Sequence, residues 1–125
     1  MKKQLTGYLI DVAKKDAKVI TIEPELEEYY KTLNCDLITI TYRDIGGKEF
    51  CIIADDEGLL KSNPVVSAIS ESYWPMLVGN LLVVSADDNA GDFASISEDD
   101  TKLIEQNIVN LTTMANGTYL VLMLS

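Results

Sequence analysis

This sequence predicts an α+β fold: a mostly antiparallel or mixed sheet of about five to six strands with two helices packed against it. Three observations predict it. Residues 37–54 read as two alternating arms around Gly46-Gly47. Two stretches, one opened by Pro24 and one by Ser97, carry apolar residues at helical spacing. Residues 81–84 and 119–124 are nearly continuous apolar runs, the pattern of strands covered on both faces. With 125 residues the chain is expected to be a single domain over 1–125, long enough for a core without staples.

Residues 5–12 and 17–23 are expected to form a first strand pair around the polar turn 13–16. Pro24 then opens a helix at its first turn, where its missing donor costs nothing. Leu26, Tyr29, Tyr30 and Leu33 fall on one face of it. Glu23, Glu25, Glu27 and Glu28 crowd the positive end of its dipole, and Asn34 stops it. Tyr29 and Tyr30 are expected as core residues rather than catalytic ones.

In residues 37–54, Ile38, Ile40 and Tyr42 alternate with Thr39, Thr41 and Arg43. The glycine pair supplies the positive φ of a tight turn. A two-residue loop would set Asp44 opposite Glu49, and like charges directly opposite are destabilising. The charges therefore predict a three-residue loop, Ile45-Gly46-Gly47, with Tyr42 facing Phe50 and Arg43 facing Glu49.

Asp55-Asp56-Glu57-Gly58 and Asn63-Pro64 mark breaks. Residues 65–72 fit a short helix or an irregular loop. The only tryptophan lies in Tyr73-Trp74-Pro75-Met76. It is expected in a loop capping one end of the core, although an exposed aromatic cluster would mark a partner site. Residues 77–85 are expected as one buried strand. Ser97 caps the second helix with Asp100 three residues on, in a capping-box position. Leu103, Ile104, Ile108 and Leu111 form its stripe, and Gly117 ends it. Residues 119–124 carry no polar side chain, so both faces of the strand should be covered, either by pairing inside the sheet with a helix over one face, the favoured arrangement, or by packing against a second subunit.

No histidine occurs, which removes the commonest general base, the serine or cysteine triads and the commonest zinc ligand. No phosphate-binding, dinucleotide-binding or nucleophile-elbow motif is present. Cys35 and Cys51 are too few for a disulfide framework and are expected reduced. The net charge of −10 disfavours direct nucleic-acid binding. No run is long enough to span a bilayer, and residues 1–6 lack the apolar segment of a signal peptide, so a cytoplasmic location is expected.

Two acidic patches are candidates for chemistry. Counting Asp87 as the first position of a calcium loop puts Asn89 third and Glu98 twelfth, but Gly91 and Asp92 stand in the reverse of the required order. A solvated turn feeding a helix cap is the expectation. Asp55, Asp56 and Glu57 could hold magnesium or form an acid/base pair only if a turn converged them. No metal site, no catalytic residue and no cofactor is therefore expected. The expected partner surface is Asp87, Asp88, Asp92, Glu98, Asp99 and Asp100, whose density suits a basic partner.

The order of turn and cap signals is distinctive. Asp56-Glu57-Gly58 is followed by Asn63-Pro64, then by Val78-Gly79-Asn80-Leu81-Leu82-Val83-Val84. Gly91-Asp92-Phe93 then precedes the acidic cap Ser97-Glu98-Asp99-Asp100. Over roughly residues 7–112 this resembles a family of small proteins catalogued as a domain of unknown function, common in phages and in conjugative elements of Gram-positive gut bacteria. The tail after Gly117 departs from the family's shorter members. The resemblance implies a mobile-element accessory protein and carries over no catalytic residue.

Three functions are compatible with these readings. The first is a non-enzymatic cytoplasmic accessory or interaction protein whose partner is a basic host or element-encoded protein. The second is an acidic decoy mimicking nucleic acid, and the third is a small carboxylate- or metal-dependent enzyme. The sequence leaves the oligomeric state open.

Overall fold

The computed structural model describes residues 4–12, 14–56, 65–85 and 93–125. Its elements run β1 (Leu5–Asp11), β2 (Asp16–Ile22), α1 (Leu26–Leu33), β3 (Ile38–Ile45), β4 (Lys48–Asp55), β5 (Val66–Ser70), β6 (Pro75–Val78), β7 (Leu81–Ser85), α2 (Glu98–Gln106), β8 (Ile108–Thr113) and β9 (Gly117–Leu124). One sheet has the order β2-β1-β7-β4-β3 and the other β6-β5-β9-β8. Neighbouring strands are antiparallel except β5 and β9, which run parallel. The α+β class, the two helices and the mostly antiparallel pairing are as the sequence predicts. The described strands number nine and divide over two sheets, where one sheet of five to six was expected.

β7 lies at the centre of the larger sheet, and Leu81, Leu82, Val83 and Val84 are fully buried. Alternate residues serve two different cores. Leu82 and Val84 join Leu5, Leu9, Cys51 and Ile53 under Tyr29 and Leu33 of α1. Phe93 closes that side, edge-on to Tyr29 with ring centroids 5.6 Å apart. Leu81 and Val83 join Tyr8, Ile10, Phe50, Ile52 and Ala54, and meet Ala68, Ile69, Tyr119, Val121 and Leu122 of the smaller sheet together with Ile104 of α2. A large aliphatic side chain buried in this way contributes about 1.5–3 kcal/mol.

α2 begins where expected; α1 begins later than expected, since Glu25, which makes no side-chain cap bond, is its N-cap residue and Pro24 stands outside the first turn. Asn34 ends α1 in the left-handed conformation at φ 53°. Only Tyr29 and Leu33 of its predicted stripe are buried; Leu26 is 52% exposed. α2 starts in a complete capping box between Ser97 and Asp100. It stops at Gln106, ten residues short of the predicted end at Asn116. Ile108, Val109, Thr112 and Thr113 are β-branched and favour a strand. Val109 and Leu111 alternate with Asn110 and Thr112, and pair with Val121 and Tyr119. Gly117 is left-handed as expected, but as part of the β8–β9 turn rather than a helix stop. β9 sits between β5 and β8, inside the sheet as predicted.

The central hairpin has a two-residue loop, which corrects the three-residue loop that charge argues for. Ile45 faces Lys48, Asp44 faces Glu49, Arg43 faces Phe50 and Tyr42 faces Cys51. Gly46 and Gly47 both have positive φ, at 59° and 87°, the requirement of the tightest hairpin turn. This register buries Ile45 completely. Asp44 and Glu49 are both exposed, where water and salt screen their repulsion to less than about 1 kcal/mol. Burial therefore outweighs the charges. The tip is also clasped from outside: Ser125 N–H donates to the Asp44 carbonyl at 2.8 Å, and Gly47 N–H to Ser125 Oγ at 3.3 Å.

Two further segments differ from expectation. Residues 65–72, read as short helix or loop, contain β5, which pairs parallel with β9. The single strand predicted over 77–85 is two strands in different sheets, β6 and β7. Gly79, at φ 79°, turns the chain between them, its N–H donating to the Val65 carbonyl. Asn80 is buried there and accepts from Val12 N–H at 3.0 Å.

The hairpin tip supplies a test of its register. A Cβ on Gly46 would lie 2.5 Å from Leu103 Cδ1 and 3.0 Å from Asn107 Nδ2, whereas one on Gly47 would meet nothing within 4 Å. Gly47→Ala should cost the backbone term alone, about 1–2 kcal/mol. Gly46→Ala should cost measurably more in urea unfolding, because Leu103 must also move. Equal costs would contradict the packing of α2 on the turn.

Candidate functional site

Among the described residues, two large aromatic side chains stand exposed side by side at the β5–β6 turn. Ser70, the last residue of β5, holds this turn at four points. Its Oγ accepts from the N–H groups of Ser72 and Trp74, at 3.2 and 3.1 Å. Its N–H donates to the Trp74 carbonyl and its carbonyl accepts from Tyr73 N–H, both at 2.9 Å. The loop closes so tightly that Tyr73 takes φ 64°, a left-handed conformation unfavourable for a bulky side chain. Tyr73 is 65% exposed and Trp74 71% exposed. Trp74 thus does not cap the core, which corrects the expectation for the only tryptophan.

β6 continues from this turn as an edge strand that opens on Pro75, a residue tolerated at a strand's first position and on an edge. Met76 is exposed beside it. Pro75, Met76, Leu77 and Val78 form one wall of a groove of about 260 Å³; Thr39, Ala54, Asp55 and Asp56 line the rest. The groove is apolar along β6 and carries two carboxylates at the end of β4.

Asp55 also lines a wider cleft, of about 600 Å³, at the C-terminal end of α1, with Glu27, Tyr30, Lys31, Asn34, Cys35 and Asp36. Three carboxylates and one ammonium make it cation-leaning. Among the described residues, no three His, Cys, Asp or Glu side chains come together in a way that could hold a metal ion. Of the acid/base candidates, Asp55 is buried and Asp56 exposed, both lining the groove beside β6, and Glu57 lies outside the described residues.

The acidic surface expected from the sequence divides. Asp87, Asp88 and Asp92 lie outside the described residues, as does most of the loop tested against calcium binding. Glu98 and Asp99 are exposed in the first turn of α2. Asp100 is buried and committed internally, so it is not a surface residue. Its carboxylate accepts from Ser97 N–H at 3.0 Å and from the Lys48 ammonium, which lies over the Phe50 ring. Burial alone would raise Asp100, but the Lys48 hydrogen bond, the Ser97 N–H and the Lys48 charge outweigh it and hold the carboxyl below its ordinary value.

Two other titrating groups behave as core residues. Burial, and then Glu105, which accepts from its hydroxyl at 3.2 Å, push Tyr8 up to about 12. Burial pushes the Cys51 thiol up to about 11, which makes it an inert small hydrophobe. Cys35 and Cys51 form no disulfide. No helix of the described residues is long and apolar enough to cross a membrane.

The tryptophan was singled out by sequence reasoning; its exposure was not. That depends on the bonds Ser70 makes to residues up to four positions on, for which a lone serine gives no signal.

The family model described as Domain of unknown function (DUF3846) matches residues 5–109. No curated protein and no solved structure matches the chain.

The Asp100 linkage has a definite sign. A carboxyl held below its ordinary value stabilises the fold fully above that value and loses its contribution as pH falls through the lowered one. Asp100→Asn should cost about 1 kcal/mol near neutrality, the scale of a lost cap. In urea titrations the gap from wild type should narrow as pH falls below the ordinary aspartate range and through the lowered value. A gap independent of pH would show that the Lys48–Asp100 pair adds nothing.

Proposed function

This chain belongs to the family Domain of unknown function (DUF3846), and we propose that it is a non-enzymatic accessory protein of a mobile genetic element that works by holding another protein through the β5–β6 turn. One observation carries this reading: the only tryptophan and its neighbour Tyr73 stand in water on a turn that Ser70 fixes. Leaving either side chain exposed forgoes roughly 1.5–3 kcal/mol of burial. Holding Tyr73 left-handed costs about another 1–3 kcal/mol. Tryptophan and tyrosine are the side chains that dominate binding hot spots, and a fixed turn presents them with little ordering left to do on association.

The partner is a basic protein. Asp55 and Asp56 flank the apolar wall beside Met76, and the chain carries a net charge of −10. The mobile-element setting rests on the order of turn and cap signals in residues 56–100. An acidic decoy is less well supported, because of the described members of the acidic patch only Glu98 and Asp99 face water. An enzymatic role has the least support: the chain has no histidine, and among the described residues no three carboxylates or cysteines gather in a way that could hold a metal ion.

Trp74→Ala separates an anchor from a structural cap. As an anchor it should change stability by less than about 0.5 kcal/mol, while a buried cap would lose about 3–5 kcal/mol. In affinity capture from a host-bacterium lysate, the wild-type chain should retain a basic protein at low salt. Trp74→Ala should bind that protein at least about 30-fold more weakly, the loss typical of a hot spot. Capture of the same protein with equal affinity by both forms would overturn the reading.

A further inference from the structure

We infer that the outer edge of β3 is the docking edge for a second copy of this chain, which extends the five-stranded sheet across a two-fold axis. The inference goes beyond the proposed function and uses a different surface.

The hairpin register decides which backbone groups of β3 are free. A two-residue turn closes on Ile45 and Lys48 as a bonded pair, so Ile45, Arg43, Thr41 and Thr39 turn their N–H and C=O groups inward to β4. The Leu37 carbonyl, which accepts from Asp56 N–H, continues that inner series. Asp44, Tyr42, Ile40 and Ile38 therefore turn theirs outward. Ser125 takes the Asp44 carbonyl. The outward groups of Ile38, Ile40 and Tyr42 meet no partner among the described residues.

The side chains along this edge are also uncovered. Ile38, Ile40 and Tyr42 share the face on which α1 lies, opposite Asp55, Ile53 and Cys51. Ile38 reaches that core, but Ile40 is 45% and Tyr42 55% exposed. Edge strands are normally guarded by charge, proline or polar side chains. β2 has Asp16 and Lys18, β6 opens on Pro75, and the exposed residues of β8 are Asn110 and Thr112. On the face that α1 covers, β3 carries no charge, proline or polar guard from Ile38 to Tyr42; Thr39 and Thr41 stand on its other face.

A second copy fits this edge because the edge is its own complement. Antiparallel pairing about an axis at Ile40 sets Ile40 against Ile40 of the other copy, and Ile38 against its Tyr42. Every outward group of the three residues then finds a partner, and the ladder stops where Ser125 has taken Asp44. The paired side chains are aliphatic–aliphatic and aliphatic–aromatic, the stabilising kinds of cross-strand pair. Both chains carry net charge −10, yet the only charge in residues 37–43 is that of Arg43, so repulsion is not concentrated at the contact. At physiological salt, charges beyond about 8 Å are largely screened.

Sedimentation velocity of the full chain over a concentration series tests this. The wild type should show a monomer–dimer equilibrium in the micromolar range, as a small interface gives, and it should tighten with added salt. Ile40→Lys places two ammonium groups against each other at the axis and should weaken association at least about 10-fold. Tyr42→Lys should do the same. Val19→Lys, at an exposed position of the opposite edge strand, should leave it unchanged. Amide exchange should show Ile38, Ile40 and Tyr42 protected only in concentrated samples. A wild type that stays monomeric throughout would overturn the inference. So would a dimer that survives Ile40→Lys and Tyr42→Lys but is lost in Trp74→Ala, which would place the contact at the aromatic turn instead.

Discussion

The structure depends on a sheet that must be dry on both faces. Leu81, Leu82, Val83 and Val84 are consecutive and fully buried, so β7 can exist only where two separate layers cover it. β1 and β4 flank it and complete both faces. The smaller sheet and α2 supply one cover, and α1 with Phe93 supplies the other. The second cover is narrow. A helix of 8 residues is about 12 Å long and about 10 Å wide, and strands lie about 4.8 Å apart, so α1 spans roughly two strands. The exposure of Ile40 and Tyr42 at the margin follows from that width.

The other organising contact is the clasp on the central hairpin. Leu103 packs against Gly46, Lys48 binds the capping-box carboxylate of Asp100, and Ser125 binds the backbone of Asp44 and Gly47. The turn thus gathers α2 and the residue that follows β9 to one end of the larger sheet. It also shows which force sets register here. Like charges at Asp44 and Glu49 face one another in water at small cost, while the burial of Ile45 and the backbone geometry of two glycines decide the pairing.

Much of this was legible in the residues. The strand pair at the start, the glycine turn, the stop at Asn34, the capping box of Ser97 and Asp100, and the doubly buried run 81–84 each have a local cause. What was not legible depends on more distant contacts. The stripe through Ile108 and Leu111 fits a helix, but the β-branched residues around it and pairing with β9 take the segment into the sheet. β5 and β6 are four to five residues each, pair with bulges and show little periodicity. Trp74 was visible as a candidate. Its exposure was not, because a tryptophan beside Pro75 and Met76 has the composition of a core cap, and only the turn bonded to Ser70 lifts it into solvent.

The two-cover account is tested most directly by cutting β7 on each face in turn. Leu81 points into the core shared with the smaller sheet, and Leu82 into the core under α1. If both covers hold the sheet, Leu81→Ala and Leu82→Ala should each lose about 2–5 kcal/mol in equilibrium urea unfolding. A loss below about 1 kcal/mol for either one would mean that its face is not a packed core, and would contradict the account.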